Sequence, residues 1–190
     1  MRSKNFTRGK RCQVSRTSVS ERIALSGTMQ NMTIRNILKL VVSIVACLAA
    51  GAIGSIFTRS AIPTWYAILE KPPFNPPNWL FAPVWTLLYI LMGVAAFLVW
   101  RKGLENRQVR AALIVFLVQL ILNVLWSVVF FGLESPLFGL IIIVVLWVAI
   151  LITVIQFFKI SHAASVLLWP YLLWVTFAAV LNSSIWLLNR

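Results

Sequence analysis

The chain has 190 residues, of which 61% are hydrophobic and 11% charged, and its mean hydropathy is +0.91. This composition lies far outside the range of soluble globular proteins and indicates a single polytopic membrane domain. A net charge of +13 is also typical of nucleic-acid-binding proteins, but the basic residues flank apolar segments and interleave with no soluble fold, so we expect no nucleic-acid partner.

The first 33 residues form a basic segment in which Glu21 is the only acidic residue. The composition fits a transit-type segment or a tail held at anionic lipid headgroups. Alternatively, translation begins at Met29 or Met32. Because no long amphipathic pattern occurs here, we expect a disordered tail over residues 1–33 and a membrane domain over residues 34–190.

Five apolar spans follow, each close to the roughly 20 residues that cross a bilayer as a helix. Backbone polar groups in hydrocarbon must be satisfied within the segment, which leaves helices as the structure for spans of this length. We therefore predict an all-α fold, a bundle of five transmembrane helices in an integral, multi-pass membrane protein. The predicted spans are residues 37–57, 80–100, 111–131, 137–158 and 164–188.

The link between the first two spans, residues 58–79, is unusually rich in proline and aromatic residues. Proline has few backbone states to lose, so a loop that contains PPFNPP can hold one shape over the helix ends at low entropic cost. Its rings offer broad apolar faces. The composition of this loop therefore favours a rigid cap over the bundle.

The basic residues lie mostly on one side of the predicted bundle. Nine occur up to Lys39, four between the second and third spans, and Lys159 between the fourth and fifth. The other side holds only Arg59, Lys71 and Arg190. The positive-inside rule therefore predicts a cytoplasmic N-terminus, with the proline-rich loop and the C-terminus on the opposite face.

Few residues are available for catalytic or metal chemistry. Cys12 lies in the tail, Cys47 lies in the middle of the first span, and His162 stands alone in a link, so no metal-ligand spacing occurs and we expect no metal or cofactor. The sequence has no aspartate, and its four glutamates lie outside the span centres. This pattern argues against an ion-coupled pump and against acid–base or nucleophilic catalysis.

Three spans each carry a stripe of aromatic and small or neutral polar residues on one helical face. Such stripes either pack helices together through amide hydrogen bonds, or line an apolar pocket that has a few orienting polar groups. The spacing leaves both interpretations open. Trp147, in the very apolar fourth span, has no polar residue at helical spacing, and we expect it to lie outside any pocket. The stripes are Trp85, Tyr89 and Gly93; Gln119, Asn123, Trp126 and Phe130; and Tyr171, Trp174, Ala178 and Asn182.

Three segments closely resemble the translocator protein family, also called TspO/MBR or tryptophan-rich sensory proteins. In order, they are WYAILEKPPFNPPNWLFAPVWTLLYILMG, QLILNVLWSVVFFG and PYLLWVTFAAVLNSSIW. The resemblance runs from the first span to Trp186 and leaves out the N-terminal tail. It implies a five-helix membrane bundle, often dimeric, whose ligands are porphyrins such as protoporphyrin IX and haem, with cholesterol and synthetic drugs added in animal members.

The resemblance also implies a ligand site. On chemistry alone, Lys71 is as well suited to a salt bridge with Glu70 or a lipid phosphate as to a ligand propionate. The residues that the resemblance places in the capping loop are Trp65, Tyr66, Lys71, Pro72, Pro76, Pro77 and Trp79. Those that it places in the pocket wall are Trp85, Tyr89, Asn123, Trp126, Phe130, Trp174, Phe177, Ala178 and Leu181.

Three functions are compatible with this resemblance. We favour a porphyrin- or haem-binding membrane sensor or regulator without turnover. The second is a porphyrin transporter, although five spans without repeat symmetry lack the two-halved design of many secondary transporters. The third is a light-dependent porphyrin-degrading enzyme, because Trp85 and Trp174 match the tryptophans implicated in that activity in some bacterial members.

Two further expectations concern partners. Ser183, Ser184 and Leu187 replace the tyrosine and the base of the cholesterol-recognition pattern of animal members, so we do not expect high-affinity cholesterol binding. The first span carries small residues at Ala46, Ala50 and Gly54, a spacing that lets helix backbones approach closely. We predict a homodimer that uses this face; the alternative is that the small residues pack against another helix of the same chain.

Overall fold

The computed structural model describes residues 13–190, and it describes side-chain surroundings from Thr33 onward. The predicted all-α fold is confirmed, because this part of the chain contains helices and no strand. Five of the helices are long and apolar enough to cross a membrane. The helices are α1 (Gln13–Ala61), α2 (Trp65–Ile68), α3 (Asn78–Trp100), α4 (Arg107–Ser127), α5 (Pro136–Ile160) and α6 (His162–Leu188).

The described residues divide into two compact units, residues 13–38 and residues 39–190. Residues 13–32, which we expected to belong to a disordered tail, are helical as part of α1, and the segment contains no proline to interrupt the helix. Residues 1–12 of the expected tail lie outside the described residues. The division into a tail and a membrane domain at residue 34 stays a prediction.

Helices α4, α5 and α6 begin at residues that suit helix N-termini. The Asn106 side chain accepts a hydrogen bond from the Gln108 backbone N–H at 2.8 Å at the start of α4. Ser161 does the same for Ala164 at 3.4 Å at the start of α6, and proline opens α5. The links that end at these helix starts are short, so the helices that they join lie antiparallel.

A π-helical turn, Val128–Gly132, extends α4. Its signature is the Leu133 N–H, which donates to the Val128 carbonyl at 2.9 Å, five residues back. The turn was not predicted, because hydrophobic periodicity over five residues does not distinguish it from the end of an α-helix. Phe130 and Phe131 are both buried as a result.

The first membrane span packs through small residues against α3 and α4. A Cβ atom on Gly93 would lie 2.6 Å from Cα of Ile44, so only glycine allows this approach of α1 and α3. One on Gly54 would lie 3.1 Å from Oγ of Ser127. Ala50 and Gly54 are buried within the chain, whereas Ala46 is exposed. This corrects the predicted dimer face, since most of the small-residue ladder serves intramolecular packing; the homodimer itself stays a prediction.

Candidate functional site

A cavity of about 440 Å³ lies between α1, α3, α4 and the π-helical turn. This volume is within the range of small-molecule sites. The lining is mostly apolar, with a few hydroxyl and amide groups and the charged side chain of Arg59. The lining residues are Leu48, Gly51, Ala52, Gly54, Ser55, Thr58, Arg59, Ile62, Asn78, Phe81, Ala82, Trp85, Thr86, Tyr89, Trp126, Ser127 and Phe131.

Three of the predicted pocket residues, Trp85, Tyr89 and Trp126, line this cavity. The Trp85 ring lies between the other two, with centroids 5.7 Å from Tyr89 and 6.3 Å from Trp126 and an interplanar angle of 30° in each pair. Trp126 in turn stacks on Phe130, which is buried behind it, at 5.5 Å. The stripes of the second and third spans thus meet in one continuous aromatic wall.

Four buried polar side chains form a hydrogen-bonded chain that starts at this wall. The Tyr89 hydroxyl donates to Oδ1 of Asn123, whose Nδ2 donates to the Tyr171 hydroxyl at 2.9 Å. Tyr171 donates to Oε1 of Gln119 at 2.9 Å. Nε2 of Gln119 is buried and has no partner among the described residues. The chain joins α3, α4 and α6, and it fixes the Tyr89 ring at the deep end of the cavity.

A second buried amide, that of Asn182 on α6, forms a hydrogen bond with Trp126. The Trp126 indole N–H donates to Oδ1 of Asn182 at 3.3 Å, and Nδ2 of Asn182 donates to the Pro136 carbonyl at 2.8 Å. Asn182 therefore connects α4, α5 and α6. The polar residues of the predicted stripes act as interhelical hydrogen-bonding groups, and they orient the rings that line the cavity.

The proline-rich loop packs on the π-helical turn. Trp65 contacts Phe130 at 5.5 Å between ring centroids, and Tyr66 is buried against Phe131 at 5.8 Å. The Tyr66 hydroxyl donates to Oδ1 of Asn75 at 2.7 Å, and burial raises the pKa of Tyr66 to about 12. The loop is therefore held in place by ring packing and by an internal hydrogen bond.

Asn189, next to the last residue of the chain, holds the same loop in place through two hydrogen bonds. The Glu70 backbone N–H donates to Oδ1 of Asn189 at 3.0 Å, and Nδ2 of Asn189 donates back to the Glu70 carbonyl at 2.9 Å. Trp79, by contrast, is 71% exposed and does not line the cavity. The role of Asn189 was not predictable, because a lone asparagine after the last helix has no distinctive spacing.

The predicted residues on α6 are grouped apart from the cavity lining. Trp174 and Phe177 are half-buried, and Trp174 packs against Phe81 at 6.2 Å and against Phe177 at 5.5 Å. Ala178 and Leu181 are buried, and the Trp174 indole nitrogen has no hydrogen-bond partner in the described part of the chain. Phe81 lines the cavity and thus connects Trp174 to the cavity wall, and Trp85 of the wall also contacts Tyr171 of α6 at 6.3 Å between ring centroids.

The sequence interpretation missed the contribution of α1. Seven cavity residues, Leu48, Gly51, Ala52, Gly54, Ser55, Thr58 and Arg59, come from this helix, and none of them was predicted to belong to a site. A Cβ atom on Gly51 would overlap the Tyr89 ring, so a glycine at this position allows α1 to pack closely against Tyr89 of α3. The small residues were the available signal, but of these seven only Gly54 belonged to the small-residue ladder, for which we predicted a dimer interface instead.

Trp147, expected outside the pocket, does not line the cavity. Its indole N–H donates to Oγ1 of Thr176 at 2.8 Å. The polar partner of Trp147 thus comes from α6, which spacing along α5 alone does not reveal.

The sequence model of the TspO/MBR family matches residues 43–187. The tryptophan-rich protein TspO of Archaeoglobus fulgidus is 52% identical over 155 residues, which cover 81% of this chain and 99% of the relative. The translocator protein of Bos taurus is 34% identical over 74% of this chain and 83% of the relative. The tryptophan-rich sensory protein of Cereibacter sphaeroides is 39% identical over 66% of this chain and 77% of the relative. The protein is thus an integral, multi-pass membrane protein, and the chain belongs to the TspO/MBR family.

Proposed function

We propose that this protein is a membrane sensor or regulator that binds a tetrapyrrole in the cavity between α1, α3 and α4. The observation that carries the proposal is the wall formed by Trp85, Tyr89 and Trp126 in a cavity of about 440 Å³. The name of the relative from Cereibacter sphaeroides, a tryptophan-rich sensory protein, supports a sensing role for the present chain.

The chemistry of the wall suits a flat, apolar ligand. Aromatic side chains offer large apolar faces, and offset or tilted ring arrangements contribute beyond the area that they bury. The hydrogen bonds of Tyr89 and Trp126 to Asn123 and Asn182 hold two of the rings in place before a ligand arrives. A preorganised wall loses little conformational freedom when the ligand binds.

We also propose a membrane topology and an assembly for this protein. The distribution of Lys and Arg supports a cytoplasmic N-terminus, with the proline-rich loop and the C-terminus on the opposite face. The proposed assembly is a homodimer. Since Ala50 and Gly54 are buried inside the chain, its interface has to use other residues.

Reconstitution in liposomes distinguishes the proposed function from its alternatives. Protoporphyrin IX is added outside, and its location and amount are followed in the dark and under light. A sensor or regulator keeps the porphyrin bound in stoichiometric amount. Accumulation inside the vesicles would indicate a transporter, and loss of the porphyrin under light would indicate a degrading enzyme; either result contradicts the proposal.

Tryptophan variants locate the site in the same system. Trp85→Ala is expected to weaken porphyrin binding by about 1–3 kcal/mol, the scale of burying one large apolar side chain. Trp169→Ala is the matched control, because Trp169 is 48% exposed and does not line the cavity. Trp174→Ala tests whether the α6 group also belongs to the site. Affinity is read from the porphyrin Soret band, so that loss of an indole does not alter the signal, and equal affinities of Trp85→Ala and Trp169→Ala would contradict the assignment.

A further inference from the structure

Among the described residues that line the cavity, Arg59 is the only charged one. It is exposed and lies in the last turn of α1, and neither a hydrogen bond nor an ion pair engages its guanidinium among the described residues. Asn78, at the start of α3, lines the same cavity. The cavity therefore has one polar, cationic region, where the spans join the proline-rich loop.

Lys71, which the family resemblance made a candidate for meeting a ligand propionate, is engaged elsewhere. Its Nζ donates to the carbonyls of Ala67 at 3.1 Å and Leu69 at 2.9 Å, and it lies 5.0 Å from the centroid of the Tyr66 ring. Two of its three N–H donors are thus satisfied within the loop. Lys71 does not line the cavity, and it makes no ion pair with Glu70 in the described part of the chain.

The cavity is polar at one end and apolar at the other. Eleven residues separate Arg59 from Leu48 on α1, and eleven separate Asn78 from Tyr89 on α3, which corresponds to about 16 Å along each helix. The deep end is lined by Leu48, Gly51 and the ring of Tyr89. An apolar molecule with its acidic groups on one edge matches this gradient.

We infer that Arg59, with Asn78 at the same end of the cavity, binds the carboxylate of an amphipathic ligand whose apolar body lies against Trp85 and Trp126. This inference rests on the proposed function, and it names the group that recognises the acidic edge of the tetrapyrrole. A guanidinium presents a planar fork of donors that matches a carboxylate, and charge-assisted hydrogen bonds are about twice as strong as neutral ones. Arg59 is free to supply that fork, whereas Lys71 is not.

Two other roles would account for an arginine at this position. A cation in the last turn stabilises a helix through its dipole, and a guanidinium close to the membrane surface can bind a lipid phosphate. Neither role depends on whether the ligand carries a free carboxylate. A substitution of Arg59 that weakens binding of the acid but not of its ester therefore supports the inferred role over these two.

The test compares protoporphyrin IX with its dimethyl ester, which has the same ring but no carboxylate. Both are titrated against the wild type, Arg59→Gln, Arg59→Lys and Lys71→Gln, each in phosphocholine nanodiscs and in maltoside micelles that contain no phosphate. Arg59→Gln is expected to weaken binding of the free acid about tenfold, the lower end of the range for a lost hydrogen bond to a charged group. It is expected to leave binding of the ester unchanged. Arg59→Lys should retain part of the preference, and Lys71→Gln should retain all of it.

A failure of the Arg59 inference and a failure of the proposed function give different results. If the wild type binds both porphyrins and Arg59→Gln keeps the preference for the acid, Arg59 does not recognise the carboxylate. Loss of the preference in Lys71→Gln instead, or an effect of Arg59→Gln that disappears in the phosphate-free micelles, also overturns the inference. Failure of the wild type to bind either porphyrin contradicts the proposed function itself.

Discussion

Asn123 offers the sharpest test of the buried polar chain. It is 1% exposed, it accepts a hydrogen bond from Tyr89, and it donates one to Tyr171. Asn123→Leu keeps a side chain of similar size but removes both interhelical hydrogen bonds. The Tyr89 hydroxyl loses its acceptor, whereas Tyr171 still donates to Gln119.

The expected cost follows from the number of bonds removed. Interhelical hydrogen bonds in membrane proteins average about 0.6 kcal/mol and reach about 1.7 kcal/mol. Loss of two bonds therefore predicts that the free energy of unfolding falls by about 1–3 kcal/mol. Porphyrin binding should weaken as well, because the Tyr89 ring at the deep end of the cavity is no longer fixed.

The measurement is reversible unfolding in mixed dodecyl sulfate and maltoside micelles, followed by helical circular dichroism. Thr153→Val is the matched control, since Thr153 is also 1% exposed but its hydroxyl donates to the Ala149 carbonyl of its own helix at 2.8 Å. Loss of this hydroxyl therefore breaks no hydrogen bond between helices. Tyr89→Phe, alone and combined with Asn123→Leu, gives the coupling energy of the pair. Equal stability of Asn123→Leu and Thr153→Val would refute the view that the polar chain ties the bundle together.

Three other measurements test separate features. Cysteine reporters at Asn75 and Asn106, in a protein without Cys12 and Cys47, should be labelled from opposite sides of the membrane; labelling from one side contradicts the topology. Gly51→Ala should lower stability by about 1–3 kcal/mol, because the added methyl group overlaps the Tyr89 ring, and unchanged unfolding would contradict that packing. Because the pKa of Tyr66 is raised from 10.0 to about 12, its contribution to stability should be complete below pH 10 and decline between pH 10 and 12; the Tyr66→Phe variant should lose less stability over this range than the wild type, and equal losses would contradict the assignment.

The helices were predictable because hydropathy and length determine membrane spans with little dependence on packing. Spacing also placed Trp85 and Tyr89 on one face of α3, and Asn123 and Trp126 on one face of α4. It could not show which helices those faces meet. The structure brings the α3 and α4 faces together at the cavity, whereas Trp174 on α6 packs against Phe81 and Phe177 instead.

Two features of the site depend on local geometry that a sequence pattern does not encode. Lys71 was a reasonable anion-binding candidate by charge, but the loop turns the carbonyls of Ala67 and Leu69 toward its Nζ. The π-helical turn at Val128–Gly132 adds a residue to one turn of the helix, and it thereby sets the directions of Phe130 and Phe131. Neither the orientation of a carbonyl nor one extra residue in a turn alters apolar periodicity enough to be detected.

The position of the cavity follows from how the first span is attached. Helices α3, α4 and α6 are joined by side-chain hydrogen bonds through Asn123 and Tyr171. From Ser43 to Ala61, by contrast, the side-chain hydrogen bonds of α1 all end on carbonyls of its own helix. Close packing at Gly93 and Gly54 holds this helix in place, and small residues leave space wherever no partner ring fills it. Separating α1 from α3 would therefore break van der Waals contacts and the cation–π contact between Lys39 and Trp100. It would break no side-chain hydrogen bond of residues 43–61 and none of the polar chain behind the interface.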